Sequence, residues 1–170
     1  MKNKVFLLLV LLTMYSATAM AQFKIKAHGG LSYIEHVSTG VAFGLGKRHT
    51  VTLLCGSNLF INMYEFSNFF IQYDYAFAKL KFKGTTPRLG IKGGDSHFTD
   101  DYYRWHVAHV IPFAGISYSV HTKMELLVEF GAAFSFEQAV DRVGEGEVGH
   151  YKELLPEIKV AILYTLYQKK

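Results

Sequence analysis

The sequence predicts an all-β protein, an eight-stranded antiparallel up-and-down transmembrane β-barrel, and three observations carry that expectation. The stretch Lys123 to Glu137 sorts its side chains by parity. Met124, Leu126, Val128, Phe130, Ala132, Phe134 and Phe136 form an apolar row, and Glu125, Leu127, Glu129, Gly131, Ala133, Ser135 and Glu137 form a row of carboxylates and small residues. A two-residue period marks a strand, and this one is longer than the roughly five or six residues of an ordinary soluble strand. Seven further segments alternate in the same way. The third observation is composition: aromatics are 15% of residues, Pro is only 3, and Cys55 is alone, so an exported chain has no disulfide framework. A greasy face on every strand would promote aggregation in water, whereas in a bilayer it is the face that meets the solvent.

Taken in order, Met1 to Ala21 reads as a secretory signal peptide: Lys2 and Lys4 form the basic start, Val5 to Leu12 the apolar run, and Ala19-Met20-Ala21 the small-x-small cleavage site. The run is well short of the roughly 20 apolar residues that a spanning helix needs. Cleavage before Gln22 takes 21 of the 170 residues, leaving 149 as the barrel domain 22–170, and removes two lysines, so the formal charge falls from +4 to +2. That near-neutral balance gives no footprint for nucleic acid.

Gln22 to Ser32 alternates Phe23, Ile25 and Ala27 against Lys24, Lys26 and His28 as the first strand. After a connection at 33–39, Gly40 to Leu45 is the second, with Val41 and Phe43 opposed to Ala42 and Gly44. Gly46-Lys47-Arg48 is a tight turn, and His49 to Ile61 the third strand, with Val51, Leu53, Cys55 and Leu59 opposite Thr50, Thr52, Gly56 and Asn58. A loop at 62–67 leads to the fourth, Asn68 to Lys81, where Phe69, Ile71, Tyr73 and Tyr75 face away from Gln72, Asp74 and Ala76. Past the turn at 83–86, Pro87 to Lys92 gives a short fifth strand with Leu89 and Ile91 against Arg88, Gly90 and Lys92. A polar loop is expected at 93–101, then a long sixth strand from Tyr102 to Val120 that Pro112 would bend or bulge. His121-Thr122 turns into the seventh strand, Lys123 to Glu137. A Gly-rich, charged loop at 138–152 precedes the eighth, Glu153 to Tyr167, whose rows are Ile158, Val160, Ile162, Tyr164, Leu166 and Lys159, Ala161, Leu163, Thr165, Tyr167.

The connections 46–48, 83–86 and 121–122 are short and alternate with longer ones at 33–39, 62–67, 93–101 and 138–152. Short periplasmic turns and longer outer loops are the habit of outer-membrane barrels. With the signal peptide, eight alternating segments and a last strand VAILYTLY, the chain resembles the small outer-membrane β-barrel family that includes the OmpA transmembrane domain and OmpX. Members end on the aromatic itself, whereas Gln168-Lys169-Lys170 follow Tyr167 here. The resemblance implies a monomer in the outer membrane of a Gram-negative bacterium. Its partners would be outer-membrane lipid, lipopolysaccharide and the barrel assembly machinery, with an extracellular ligand at loops 93–101 and 138–152. It implies no cofactor.

If the carboxylate row points inward, Asp74, Glu125 and Glu129 share the lumen with Lys24, Lys26, Arg88, Lys92 and Lys159. Eight strands leave an interior just filled by side chains, and unpaired charge there is costly to desolvate. A structural filling of mutually paired charges is therefore expected rather than a gated ion path.

Other constellations point to chemistry only weakly. His106 and His109 have odd spacing on a strand, so they face opposite sides and are not co-ligands. Asp95-Ser96-His97 with Asp100 and Asp101 offers nucleophile, base and carboxylates for acyl transfer or Ca²⁺, yet a solvated acidic loop explains it equally well, since a triad is built by geometry in space. Gly44 to Lys47 and Gly144 to Gly149 do not open helices, so they lack the physics of phosphate loops. Cys55 is most simply a small apolar residue on the outer row. No catalytic, cofactor-binding or metal residues are expected.

Three function classes follow. A non-enzymatic barrel would stabilise the envelope or bind through its loops. A lipid A-modifying deacylase or acyltransferase has similar size, but no His-x-Ser-Asn segment and no amphipathic helix before the first strand supports it. A soluble lipocalin-like carrier would show a Gly-x-Trp start, and Trp105 is the sole tryptophan.

Overall fold

Each of the eight alternating segments forms a strand, because parity lets one row leave the backbone for an apolar surround while the other fills a common interior. The computed structural model describes residues 23–57, 65–80, 82–99, 103–141 and 147–169. The expected signal peptide, Gln22, positions 58–61 of the third segment, Asp100 and Asp101 lie outside the described residues. The strands are β1 (Phe23–Ser32), β2 (His36–Leu45), β3 (His49–Ser57), β4 (Glu65–Ala76), β5 (Thr85–Thr99), β6 (Tyr103–His121), β7 (Met124–Asp141) and β8 (Glu147–Gln168), with a 3-10 turn at Ala78–Leu80. Neighbours pair antiparallel in chain order, and β1 pairs β8, closing the barrel.

The strands of the second half are the longer ones, 15 to 22 residues in β5 to β8 against 9 to 12 in β1 to β4. The β1–β8 ladder stops at Ser32↔Lys159, while β7 and β8 continue paired to Val140↔Glu147. Strands β5 to β8 therefore rise as an extended wall on the side of the β1–β2 turn. The expected loops 93–101 and 138–152 are corrected accordingly: residues 93–99 belong to β5, and 138–141 and 147–152 belong to β7 and β8. Position 36 onwards of the expected 33–39 connection is strand as well. In this wall the outer face turns polar at Asp95 and His97 while the inner face still packs, Ser96 buried and Phe98 stacked on Trp105, so the ladder persists where the apolar outer row has ended. The end bearing the β1–β2 turn is thus marked by strand extension.

Pro112 causes no register shift, since Val110↔Phe134 and Phe113↔Gly131 share one register on either side of it. Shifts occur instead at Ile25/Lys26, Ser119/His121 and Ala139/Val140. Inward glycines make room for aromatics: a Cβ on Gly90 would collide with the Phe113 ring and one on Gly94 with the Phe70 ring, and both would meet backbone carbonyls of β4. Close approach is what a glycine inside a strand provides.

On the outer surface, Leu126, Val128, Val160 and Ile162 form an aliphatic patch, Tyr73, Tyr118, Tyr164 and Tyr167 lie towards the end bearing the 46–48 turn, and Phe69, Phe134 and Phe136 stand towards the extended end. Cys55 lies on this outer surface as a free thiol.

Candidate functional site

The interior is the densest polar assembly among the described residues. The even positions of β1, β4, β5 and the odd positions of β7 and β8 point inward, as their burial shows. This places all eight sequence-predicted lumen residues on the inner face: Lys26, Asp74, Arg88, Lys92, Glu129 and Lys159 are buried, and Lys24 and Glu125 half-buried.

Seven of the eight fall into three connected groups, and Lys24 lines the cavity at the turn end. Nearest the 46–48 turn, Lys26 Nζ donates to Glu125 Oε1 at 2.7 Å. Next, Arg88 pairs with Asp74 at 2.5 Å and donates from Nη2 to Thr50 Oγ1 at 3.0 Å. The central group is larger. Lys159 Nζ lies 3.0 Å from Glu35 Oε2, Lys92 pairs with both Glu35 and Glu157, and Gln72 Nε2 donates to Glu129 Oε1 at 2.7 Å. The Lys92 ammonium also stands 5.4 Å from the centre of the Phe70 ring. Among the described residues the buried cations Lys26, Arg88, Lys92 and Lys159 match the buried carboxylates Glu35, Asp74, Glu129 and Glu157 in number. That balance is what a charged interior needs, since each ion removed from water must find its compensation inside.

Two members were not expected. Glu157 continues the inward parity of β8 by one step, so extending the Lys159 row backwards would have found it. Glu35 has no such signal. It sits in the turn between β1 and β2, which tucks into the barrel mouth and buries Ile34 against Leu54, Phe70, Ile111 and Ala133. The turn is fastened by Ile34 N donating to Glu157 Oε2 at 3.1 Å, Glu35 N to Ser32 Oγ at 2.8 Å, and Asn68 Nδ2 to the Glu35 carbonyl at 3.2 Å. A connection expected to be an outer loop is an internal plug.

Open space remains at the two ends. A cavity of about 610 Å³ at the turn end is lined by Lys24, Lys26, Arg48 and Arg88 with Glu125, and one of about 520 Å³ above the plug is lined by Tyr33, Ile34, Ser96, His109 and Glu137. Between them lie the ion pairs and the plug.

No protein-family model matches the chain, and no curated protein matches it in sequence. Among solved structures, a designed transmembrane barrel, TMB2.3, shares 13% identity over 86% of this chain and 97% of its own, with a TM-score of 0.47. A second protein from the de novo design of transmembrane β-barrels shares 15% over 86% and 96%, TM-score 0.46. The N-terminal barrel domain of Pseudomonas aeruginosa OprF shares 13% over 85% and 98%, TM-score 0.41. The closed eight-strand pairing of this chain itself establishes the barrel.

The Asp95-Ser96-His97 grouping separates on folding. Asp95 and His97 lie on the outer face and Ser96 on the inner, so Ser96 and His97 cannot act on one substrate atom. Ser96 Oγ instead lies 3.1 Å from His109 Nε2, and His109 Nδ1 lies 2.9 Å from Ser135 Oγ. The imidazole is oriented by a hydroxyl rather than a carboxylate. A Ser–His pair of this kind lacks the anionic partner that stabilises an imidazolium during acyl transfer. His106 and His109 face opposite sides, as their spacing predicts. Gly44 to Lys47 is a strand end and turn, with Gly46 at φ 69°, and no helix begins there.

Proposed function

We propose that this chain is a non-enzymatic barrel of a Gram-negative outer membrane, structural in the envelope and able to bind partners at the rim of its extended β5–β8 wall. One observation carries the reading: an apolar surface banded by aromatics encloses an interior whose ions pair with one another. A water-soluble carrier has those two faces the other way round. Lipid offers strand edges no hydrogen bonds, and closure of the β1–β8 seam removes that cost. The surround would be outer-membrane lipid and lipopolysaccharide, insertion would proceed through the barrel assembly machinery, and the chain would act as a monomer. The rim hairpins replace the expected loops 93–101 and 138–152 as the surface available to an extracellular ligand.

The plug and the central ion pairs fill the lumen between the two end cavities, so the protein in planar bilayers is expected to give no stable ohmic conductance. Lipid A from cells with and without the protein is expected to have the same mass. A steady open-channel current would refute the filled lumen. A mass change of one acyl chain, lost in Ser96→Ala or His109→Ala, would refute the non-enzymatic reading.

A further inference from the structure

The pairing of β5 with β6 brings together three metal-ligating side chains that sequence separation hides. Asp95 and His97 are two residues apart on β5 and so share its outer face, and His97 stands directly opposite His106 in the β5–β6 ladder. His97 Nε2 lies 2.7 Å from Asp95 Oδ2, and the two imidazoles meet edge to face with centroids 4.4 Å apart. One ligand atom from each of the three residues falls within 4.8 Å of the others. We propose that Asp95, His97 and His106 form a surface site for a divalent transition-metal ion, with Zn²⁺ as the reference occupant.

The chemistry of the set selects the ion. Two imidazoles and one carboxylate suit Zn²⁺, Cu²⁺ or Ni²⁺, whereas Ca²⁺ demands six to eight oxygens and this site supplies one carboxylate. Zn–N and Zn–O bonds of about 2.0–2.2 Å place neighbouring ligand atoms of a tetrahedral site roughly 3.3–3.6 Å apart. Rotation of half-exposed side chains covers the difference from the present spacing, because the ladder fixes their backbones. The fourth position opens to water, so an ion can enter and exchange from outside.

Position adds a consequence. The outward row of β5 runs Leu89, Ile91, Gly93 and then turns polar at Asp95 and His97, while that of β6 runs Ile116, Ala114, Pro112, Val110, Ala108 and then reaches His106. The site therefore sits where the apolar surface gives way on the extended side of the barrel. This placement does not depend on which membrane the barrel occupies.

Titration of Zn²⁺ into the full chain, purified in detergent without a histidine tag, is expected to show one high-affinity ion per chain. His97→Ala and His106→Ala should each weaken binding at least tenfold, Asp95→Asn by less, and His121→Ala not at all. Heat-modifiable gel mobility of each variant reports that the barrel is intact, which is expected since all three side chains face outward. Zn²⁺ affinity and stoichiometry unchanged in His97→Ala and His106→Ala, or no binding by the wild type, would overturn the site.

Discussion

Glu35→Ala is expected to lower the unfolding free energy of the barrel by about 3–5 kcal/mol, the usual cost of removing one partner from a buried ion group. The carboxylate is fully buried, and it is the shared partner of Lys92 and Lys159. Without it, among the described residues, Lys92 retains Glu157 and Lys159 retains Gln72 at 3.4 Å and the nearby Glu129 charge. The turn that carries Ile34 into the apolar plug loses its central tie at the same time. Urea unfolding from lipid vesicles would measure the loss. A double variant, Glu35→Ala with Lys92→Ala, should cost less than the sum of the two single changes because they share one network. A Glu35→Ala protein within about 0.5 kcal/mol of wild type would behave like an ordinary surface variant, and the turn could not then be docked in the lumen.

Arginine at Val128 or Ile162 is expected to impair insertion by about 2–4 kcal/mol, as for a charge on a lipid-facing strand near the midplane. Both positions belong to the outer aliphatic band and oppose equally apolar neighbours, Val160 and Leu126. Ala133→Arg should fail for another reason. Ala133 is buried among Ile34, Leu54, Phe70 and Ile111, so a long side chain there overfills the plug. Stability compared in bilayers of different thickness distinguishes the cases, because only the outward charges sense their depth in lipid. Equal and mild effects at all three positions would contradict the assignment of faces.

Parity made the wall legible. Along β7 every residue from Met124 to Glu137 faces the side that the alternation predicts, because each outward methyl or ring and each inward carboxylate reports its own surroundings. The same logic located Lys92, Asp74 and Lys159 inside before any pairing was known. It failed where the outer row of a strand turns polar and no longer contrasts with the inner one. Gly93 to Thr99 reads Gly-Gly-Asp-Ser-His-Phe-Thr, with no apolar row opposed to a polar one, so nothing in its periodicity distinguishes strand from loop, and the β4 and β6 ladders keep it extended. The site was half legible for a related reason. Glu35 enters the lumen through a turn, where no period exists, and His97 meets His106 only because the β5–β6 register opposes them. Contacts fixed by register or by a folded-in turn are properties of the closed barrel, not of any segment alone.

The central claim is that the two rows of β7 see different solvents, lipid outside and a packed polar interior inside. It is tested most directly by spin labels placed one at a time from Met124 to Glu137, with Cys55 replaced, in barrels reconstituted into vesicles. Collision with oxygen, which concentrates in lipid, is expected to peak at Met124, Leu126, Val128, Phe130, Ala132, Phe134 and Phe136. Labels at Leu127, Glu129, Ala133 and Ser135 should be shielded from both oxygen and a water-soluble nickel reagent, whereas one at Glu125, on the turn-end cavity, should meet nickel but not lipid oxygen. Nickel accessibility along the Met124 row, or free nickel access to Glu129 and Ala133, would contradict a lipid-facing wall around a filled lumen.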